Sequence, residues 1–440
     1  MKMEDNGDHA TNQRGLKRTL EGSSAGALSM YAIFAAFTTY FCMYAFRKPF
    51  AASDYGGLKF LGTAYDLKTI YVIAQIVGYT ISKYVGMKIC SEAGKSGRAK
   101  LLVGLILTAW GSLLLFAILP VSLKVVAIFA NGLPLGMVWG TVVLHLEGRR
   151  TSEFMLAGLS CSYIIASGVV KDVGLWLMSD YGVSDYWMPF VTGGIFLLPF
   201  LFGVYLLSKL PLPTQADRDE RSARTQMYAS DRWAFLREFS LGMFLLCGMY
   251  FFLTAYRDYR DNYGVEILKE LGLGGQAGIF TQTEVPIAFG VMIALSLLCL
   301  IRSNRLGLMF AFLIMSAGQI LMGVATWMLQ NEMLDGIQWM TLVGLGAYLA
   351  YVPFGSVLFD RLLAYTRFAG TAVFAIYLTD AIGYTGSIGL QIYKDQFLTD
   401  TSRLEFFQQL TYAMSLGGAI SLIASLVYFM RRGSPQPRDK

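Results

Sequence analysis

Charged residues are scarce in this chain of 440 amino acids. They make up 15% of the sequence, whereas hydrophobic residues make up 55%. The mean hydropathy is +0.49. A soluble protein of this length would form two or three domains with polar surfaces, and this composition excludes that class. In a soluble protein the net charge of +6 would suggest a nucleic-acid partner, but here we expect none.

Histidine and cysteine are also rare. His9 and His145 have no Cys/His cluster beside them, and no cysteines have metal-ligand spacing. The five cysteines lie in or beside apolar stretches and are typical of small core residues: Cys42, Cys90, Cys161, Cys247 and Cys299. No Ser/His/Asp set or carboxylate pair is visible, and "GKSGR" at 94–98 lacks the spacing of a phosphate-binding loop. We therefore expect no metal, no cofactor and no catalytic residue.

The first 26 residues lack the apolar core and cleavage site of a signal peptide. They are polar and include Arg14, Lys17 and Arg18. We expect them to form a short cytoplasmic tail.

Long apolar runs, by contrast, recur along the whole chain. A run of about twenty apolar residues can cross a bilayer as one helix. Twelve such runs are present, at 27–50, 67–89, 101–119, 122–145, 155–178, 187–208, 239–260, 282–301, 307–328, 337–359, 367–390 and 411–430. The longest polar gap follows the sixth run. This pattern predicts an all-α polytopic membrane protein with the outline of a duplicated transporter. Its predicted parts are a tail (1–26), a six-helix half (27–208), a cytoplasmic linker (209–238), a second six-helix half (239–430) and a tail (431–440).

Lysine and arginine are concentrated on one side of the predicted spans. That side holds both tails, the linker and these loop cations: Lys95, Arg98, Lys100, Arg149, Arg150, Arg302, Arg305, Arg361 and Arg367. The turns at 180–186 and 331–336, on the other side, carry only acids. Cytoplasmic loops of membrane proteins carry an excess of Lys and Arg. We therefore predict a cytoplasmic (inner) membrane protein with both termini in the cytoplasm.

A motif is repeated at the ends of the first and seventh spans. The two copies read "AFRKPFAASDYGGLKFLG" and "AYRDYRDNYGVEILKELG". Both have an aromatic residue before an arginine, then a Tyr-Gly pair, then a lysine shortly before Leu-Gly. Arg47 and Arg257 are therefore counterparts in the two halves. In transporters built from parallel repeats, such counterparts face each other across a central cavity.

Several segments resemble the organophosphate:phosphate antiporters of the major facilitator superfamily, which include glycerol-3-phosphate and hexose-phosphate transporters. "YAFRKPF" resembles their first helix, "DLKTIYVIAQIVGYTISKYVG" their second, "YRDYRDNYGVEILKEL" their seventh and "FAGTAVFAIYLTDAIGYTGSIG" their eleventh. The sequence departs from the family in span five, where Cys161, Ser162 and Tyr163 stand in place of a histidine. It also lacks the Gly-x-x-x-Asp-Arg signature after span two. The resemblance implies the twelve-helix major facilitator fold and a phosphorylated substrate.

The resemblance also implies that Arg47 and Arg257 bind the phosphate, one from each half. Arginine suits this role because its planar, permanently charged fork holds a phosphate by paired hydrogen bonds. Two guanidiniums also match the charge of a phosphate monoester. Counting apolar residues alone allows another interpretation, in which each arginine snorkels to the membrane surface. If Arg47 instead binds the phosphate as half of the pair, Lys48 is the expected surface anchor.

Charged side chains inside a membrane span are candidates for function because burying them in lipid is unfavourable. Lys83 in span two lines the cavity if the resemblance holds, and otherwise snorkels to the surface. Lys171 and Asp172 interrupt span five. They could form an internal pair, or Lys171 could face the cavity.

Two acids and two tyrosines complete the candidate set. Glu284 and Asp380 could couple transport to protons, form ion pairs with Arg257 that break when substrate binds, or pair structurally. Tyr44 and Tyr351 could complete the hydrogen-bond shell of a phosphate, although most tyrosines in membrane proteins pack or lie at interfaces.

The predicted function is secondary active transport of a small phosphorylated organic anion, or of phosphate, by alternating access as an antiporter. Two other interpretations stay open. One is a transporter-like sensor that binds a sugar phosphate without moving it. The other is a polytopic membrane enzyme acting on a phosphate ester, which would need an acid/base or metal cluster. The expected partners are the small anion and the lipid bilayer, and we expect a monomer.

Overall fold

The structure is a computed structural model that describes residues 17–63, 65–92, 97–147, 149, 151–214, 217, 229–368 and 372–432. The predictions for residues 1–16, for Lys95 and Arg150, for most of the linker and for the last eight residues concern parts of the chain outside this range.

The described chain is built from α-helices joined by short connections. In order they are α1 (Ala25–Met43), α2 (Leu67–Glu92), α3 (Arg98–Ile118), α4 (Val121–Leu135), α5 (Val138–Leu146), α6 (Ser152–Tyr181), α7 (Met188–Ser208), α8 (Ala229–Glu238), α9 (Ser240–Asn262), α10 (Gly264–Glu270), α11 (Ile279–Cys299), α12 (Asn304–Gln330), α13 (Gly336–Ser356), α14 (Leu358–Thr366), α15 (Ala372–Phe397) and α16 (Arg403–Arg432). Short 3₁₀ turns at Tyr44–Phe46, Pro49–Ala52 and Tyr55–Gly57 follow α1.

The helices have the lengths and composition of membrane spans. Within the described residues, ten helical segments are long and apolar enough to cross a membrane. Predicted spans two and eleven correspond to α2 and α15, which have 26 residues each and are long enough to cross. They are less apolar because α2 carries Lys68 and Lys83 and α15 carries Asp380 and Lys394. The prediction of an all-α polytopic membrane protein is confirmed.

Prolines lie close to the breaks in two predicted spans. A proline inside a helix lacks an N–H group and clashes with the carbonyl four residues earlier. α4 contains Pro134, and the chain leaves the helix at residues 136–137 before it resumes as α5. In the first span, Pro49 would clash with the carbonyl of Ala45 in a continuous helix. The helix accordingly ends before Tyr44–Phe46, so the predicted span 27–50 is too long.

The bundle has two large apolar cores, one formed mainly by the N-terminal half with some residues of the other half, and one formed by the C-terminal half. In the N-terminal half (α1–α7) the large buried side chains include Tyr71 and Phe116, and in the C-terminal half (α8–α16) they include Tyr256 and Trp339. Large apolar side chains also cover the outside of the bundle, where Leu198 is 76% exposed. An apolar exterior is expected where helices face lipid rather than water.

Glycines bring α2 and α4 into direct backbone contact. A Cβ atom added at Gly78 would lie 2.3 Å from the Phe129 carbonyl oxygen, and one added at Gly132 would lie 2.3 Å from the Gln75 carbonyl oxygen. Small residues at helix crossings permit this approach in membrane proteins. The crossing determines how close α2 lies to the rest of its half.

The two halves contact each other mainly along two helix pairs, α6 against α11 and α2 against α15, and α6 also contacts α13. We call the end of the bundle that holds Ala25 and Arg432 the terminal end. The other end, where α1 finishes and α16 begins, is the opposite end.

Candidate functional site

A cavity lies between the two halves. Together with the solvent open to it, the cavity contains about 540 Å³ of empty space. Its charged lining residues are Arg47 and Lys83 from the N-terminal half and Arg257 and Asp380 from the C-terminal half. A molecule bound in this cavity therefore contacts both halves.

Arg47 lies inside the protein and not at the membrane surface. It follows the 3₁₀ turn Tyr44–Phe46 and is 5% exposed. Gln75 on α2 holds the backbone at this point, because its side-chain Nε2 donates a hydrogen bond to the Arg47 carbonyl at 2.9 Å. The guanidinium carbon lies 4.1 Å from the centre of the Tyr79 ring, within the range of a cation–π contact.

Arg257 occupies the corresponding place in the C-terminal half. It lies on α9, and its guanidinium carbon is 4.2 Å from the centre of the Tyr351 ring. Its Nη2 donates to the Asp258 carboxylate at 2.6 Å, and Asp258 also accepts a hydrogen bond from the Ser387 hydroxyl at 2.8 Å. Arg47 and Arg257 therefore share one arrangement, in which each guanidinium stacks on a tyrosine of its own half and reaches the cavity.

Lys83 and Asp380 form an ion pair between the halves. The Lys83 Nζ lies 2.9 Å from Asp380 Oδ2, and the Tyr250 hydroxyl donates to Asp380 Oδ1 at 2.8 Å. Lys83 is buried and does not snorkel to the surface. Of the alternatives considered for Asp380, an ion pair with Arg257 is wrong, because α15 presents the carboxylate to α2.

The two tyrosine candidates both line the cavity. The ring of Tyr44 lies 5.8 Å from the guanidinium carbon of Arg47, and Tyr351 supports Arg257. Six further aromatic side chains complete the wall: Tyr40, Tyr79, Trp139, Tyr163, Tyr250 and Tyr384. Such a wall offers flat apolar surface and several hydroxyl groups to a ligand.

Glu284 lies away from the cavity lining, in α11. Its Oε1 accepts a hydrogen bond from Arg260 Nη1 at 2.7 Å, and Arg260 Nη2 donates to the Met340 carbonyl at 2.9 Å. Both charged side chains are buried. Of the alternatives considered for Glu284, an ion pair with Arg257 is wrong. The observed pair with Arg260 ties α9, α11 and α13 together inside the C-terminal half.

Lys171 also lies outside the cavity lining, in a buried cluster nearer the opposite end. Asp261 of α9 pairs with Lys171 of α6, at 2.8 Å between Nζ and Oδ1, and with Lys48. The interpretation of Lys48 as a surface anchor is wrong, since it is 3% exposed. Asp172 does not pair with Lys171 but caps α11, accepting a hydrogen bond from the Thr281 backbone at 2.7 Å. All these contacts cross between the halves.

Further ion pairs join the halves at the opposite end. Lys68 Nζ lies 2.7 Å from Glu266 Oε1, and Arg403 Nη2 lies 2.7 Å from Asp66 Oδ2. Partial burial opposes ionisation of Asp66, but the hydrogen bond from Lys59 and the charge of Arg403 lower its pKa below the ordinary value. Asp66 therefore stays ionised and paired at neutral pH. These contacts close the opposite end.

The cavity carries an excess of positive charge. Three cations (Arg47, Lys83 and Arg257) and one carboxylate (Asp380) line it, which leaves a formal charge of +2. Asp258, behind the lining, offsets part of the charge of Arg257. Among the described residues Arg47 forms no ion pair, and its buried Nε lacks a hydrogen-bond partner. An anion bound beside it would remove this unfavourable burial of charge.

Several residues of this region were not singled out from the sequence, among them Asp261 and Tyr250. Asp261 stands in the last turn of an apolar span, and the unfavourable burial of its charge predicts a partner of opposite sign. That signal was present in the repeated motif "YRDYRDNYG". Tyr250 gave no such signal, because a tyrosine inside a span is ordinary until its partner is known.

The comparison with protein families assigns the chain. A model described as a family of unknown function, DUF5690, matches residues 49–432. The chain belongs to the DUF5690 family. No curated protein matches it.

Solved structures show the fold of this DUF5690 member. It is similar to the crystal structure of a D-xylose–proton symporter, with a TM-score of 0.60 and 13% identity, over 95% of this chain and 100% of the other. At this identity the likeness concerns the fold. It confirms the predicted major facilitator fold, whereas the resemblance to organophosphate:phosphate antiporters stays a prediction.

Proposed function

We propose that this protein is a secondary transporter that moves a small phosphorylated organic anion, or phosphate, by alternating access. The observation that carries the proposal is the pair Arg47 and Arg257. They are counterparts in the sequence repeat, and both reach one cavity between the halves. A phosphate between them would be held by both halves at once.

The chemistry of the cavity favours an anion with an organic part. A guanidinium binds phosphate oxygens through paired, charge-assisted hydrogen bonds, and a phosphate monoester carries a charge of about −1.5 to −2 at pH 7. The cationic lining matches this charge. The eight aromatic side chains of the wall provide flat surfaces for a sugar or another organic group.

Transport requires that the halves open alternately at the two ends. The cluster of Lys48, Lys171 and Asp261 and the pair Lys68–Glu266 close the opposite end, so they separate when the cavity opens there. A bound anion drives this change only if it binds the closed intermediate more tightly than the open states. Exchange of one anion for another is the simplest cycle, because an anion neutralises the cavity during both movements.

The loop cations support one orientation of the protein. Arg98, Arg302, Arg305 and Arg431 all lie at the terminal end. By the positive-inside rule, this end faces the cytoplasm and the opposite end faces the outside of a cytoplasmic membrane. The cavity lies within one chain, so a monomer is sufficient for the cycle.

Uptake into proteoliposomes loaded with phosphate tests the proposal. Labelled phosphate and a labelled sugar phosphate enter liposomes that contain the wild-type protein. Arg47→Gln and Arg257→Gln each lower the initial rate at subsaturating substrate by about a hundredfold, since each loses two charged hydrogen bonds. Arg302→Gln, at an exposed site of the terminal end, is the matched control and keeps the wild-type rate.

Two results would contradict the proposal. If neither phosphate nor the sugar phosphate binds to or crosses with the wild-type protein, the substrate class is wrong. If Arg47→Gln and Arg257→Gln transport as well as Arg302→Gln, the two arginines do not hold the anion.

A neutral sugar moved with a proton is the second candidate. The aromatic wall and the carboxylate of Asp380 favour it, and the similar solved structure is a D-xylose–proton symporter. In that case an inward proton gradient drives uptake of labelled D-xylose, and added phosphate does not lower this uptake.

A further inference from the structure

Asp380 is the sole carboxylate in the cavity lining within the described part of the chain. Its two oxygens have partners from two different helices. Oδ2 accepts from Lys83 of α2 at 2.9 Å, and Oδ1 accepts from Tyr250 of α9 at 2.8 Å. One partner belongs to the other half and the second to its own half.

Lys83 is placed where it can bind either Asp380 or a substrate anion. Its Nζ lies 5.4 Å from the centre of the Tyr79 ring, the same ring on which the Arg47 guanidinium stacks at 4.1 Å. An anion that binds Arg47 beside Tyr79 is therefore within reach of the flexible lysine side chain. The ammonium group of Lys83 has three hydrogen-bond donors. When these donors turn toward a phosphate, the ion pair between Lys83 and Asp380 weakens.

The ion pair also lies at a contact that closes the cavity. Tyr79 of α2 and Tyr384 of α15 meet edge to face across the two halves, with ring centres 5.1 Å apart. Lys83 follows Tyr79 by one helical turn toward the terminal end, and Asp380 precedes Tyr384 by one turn in the same direction. The pair Lys83–Asp380 thus joins the halves on the terminal side of the tyrosine contact.

We propose that Asp380 is an internal counter-anion that replaces the substrate on Lys83 when the cavity is empty, and so allows the empty transporter to close its terminal end and reorient. This inference rests on the proposed transport of an anion. It gives the same site a second activity, the net transport of an anion, beside the exchange of one anion for another.

The physical reason is the charge of the empty cavity. Closing the cavity removes water from three cations, which is unfavourable without an anion. The Asp380 carboxylate supplies that anion from the protein itself. When substrate arrives, Lys83 turns to it, and the bond from Tyr250 keeps the released carboxylate solvated within its own half. The exchange of partners is therefore reversible.

Two assays on proteoliposomes loaded with labelled phosphate separate the two modes, with ionophores holding the membrane potential at zero. Exchange is measured with unlabelled phosphate outside, and net efflux with no phosphate outside. The wild-type protein shows both. In Asp380→Asn the ratio of net efflux to exchange falls about tenfold, because the variant loses one charged hydrogen bond. The half-saturating phosphate concentration for exchange also falls, because no carboxylate competes with phosphate for Lys83.

Two controls accompany this variant. Asp380→Glu retains the carboxylate and restores most of the wild-type ratio. Asp335→Asn removes an exposed carboxylate that caps α13, a position where asparagine caps equally well, and it leaves the ratio unchanged. If Asp380→Asn does not fold, Tyr250→Phe replaces it. Tyr250→Phe removes the hydrogen-bond partner of the Asp380 carboxylate that Lys83 releases. It therefore raises both the half-saturating phosphate concentration and the ratio of net efflux to exchange.

The inference is overturned if Asp380→Asn keeps the wild-type ratio, if Tyr250→Phe changes neither quantity, or if the wild-type protein exchanges phosphate without any net efflux. In each of these cases exchange still operates, so the proposed function stands. If the wild-type protein shows neither exchange, net efflux nor phosphate binding, both proposals are wrong.

Discussion

Tyr79 and Tyr351 hold the two cavity arginines in matching positions. Their ring centres lie 4.1 Å from the guanidinium carbon of Arg47 and 4.2 Å from that of Arg257. Stacking on a ring restricts a long side chain before any ligand arrives. Binding then loses less conformational entropy, which is the general benefit of preorganisation.

The stacking predicts a difference between two substitutions of Tyr79. Tyr79→Leu removes the ring and raises the dissociation constant for phosphate about fivefold, the value of a moderate cation–π contact. Tyr79→Phe keeps the ring and stays within about twofold of wild type. Isothermal titration calorimetry on the purified protein measures both. Equal losses in the two variants would assign the effect to the hydroxyl group instead.

At the scale of single elements, α2 places three residues that shape the cavity on one face. Gln75, Tyr79 and Lys83 are spaced by four residues and therefore lie on the same side of the helix. Gln75 holds the backbone of Arg47, Tyr79 stacks on its guanidinium, and Lys83 pairs with Asp380. The position of this helix consequently determines the geometry of half the cavity.

The crossing of α2 with α4 is predicted to be sensitive to one methyl group. Gly132→Ala would place a Cβ atom 2.3 Å from the Gln75 carbonyl oxygen. Because backbone atoms cannot move aside easily, we expect a loss of about 1–3 kcal/mol in stability and weaker phosphate binding. Thermal unfolding in detergent, followed by intrinsic fluorescence, measures the stability.

Gly111→Ala in α3 is the matched control for that substitution, since nothing lies within 4 Å of an added Cβ there. It should keep or raise the unfolding temperature, because alanine favours a helix over glycine. A Gly132→Ala protein as stable as Gly111→Ala would show that the two helices can separate at no cost.

On the scale of the whole molecule, the ion pairs between the halves are unevenly placed. Asp261 binds Lys48 and Lys171 toward the opposite end, where Lys68 and Glu266 also pair. Breaking a buried pair by removing one partner leaves an uncompensated charge and is strongly destabilising for that arrangement. The opposite end therefore depends on Asp261 for its closure.

Asp261→Asn is expected to open the opposite end. It leaves two buried lysines without their carboxylate, so states in which water reaches them become more populated. A cysteine at Thr69, a fully buried residue between the halves, reports this opening in a protein whose native cysteines have been replaced by alanine. Its reaction with a membrane-impermeant maleimide should speed up about tenfold.

Asp400→Asn, at an exposed position of the same end, is the control and should leave the labelling rate unchanged. Circular dichroism confirms that both variants keep their helices. If Asp261→Asn labels no faster than Asp400→Asn, the buried cluster does not hold the halves together.

The sequence alone predicted the helical architecture and one pair of residues that line the cavity. Twelve apolar runs with a polar gap after the sixth predict two six-helix halves, because the bilayer sets the length of each span. The repeated motif identifies Arg47 and Arg257 as counterparts, since duplicated halves retain corresponding positions. The two charged helices α2 and α15 correspond to predicted spans two and eleven, although α15 extends to Phe397, beyond the predicted end at residue 390.

The tertiary structure alone decided which charges meet. Lys48 was expected at the surface and instead pairs with Asp261, and Glu284 pairs with Arg260 rather than Arg257. Asp380 pairs with Lys83, 297 positions away in the chain. An apolar pattern shows that a span is buried, but it does not state which neighbour its charged face contacts. The break of α1 before Pro49 and the crossing of α2 with α4 set those contacts, and both depend on how helices distant in sequence pack together.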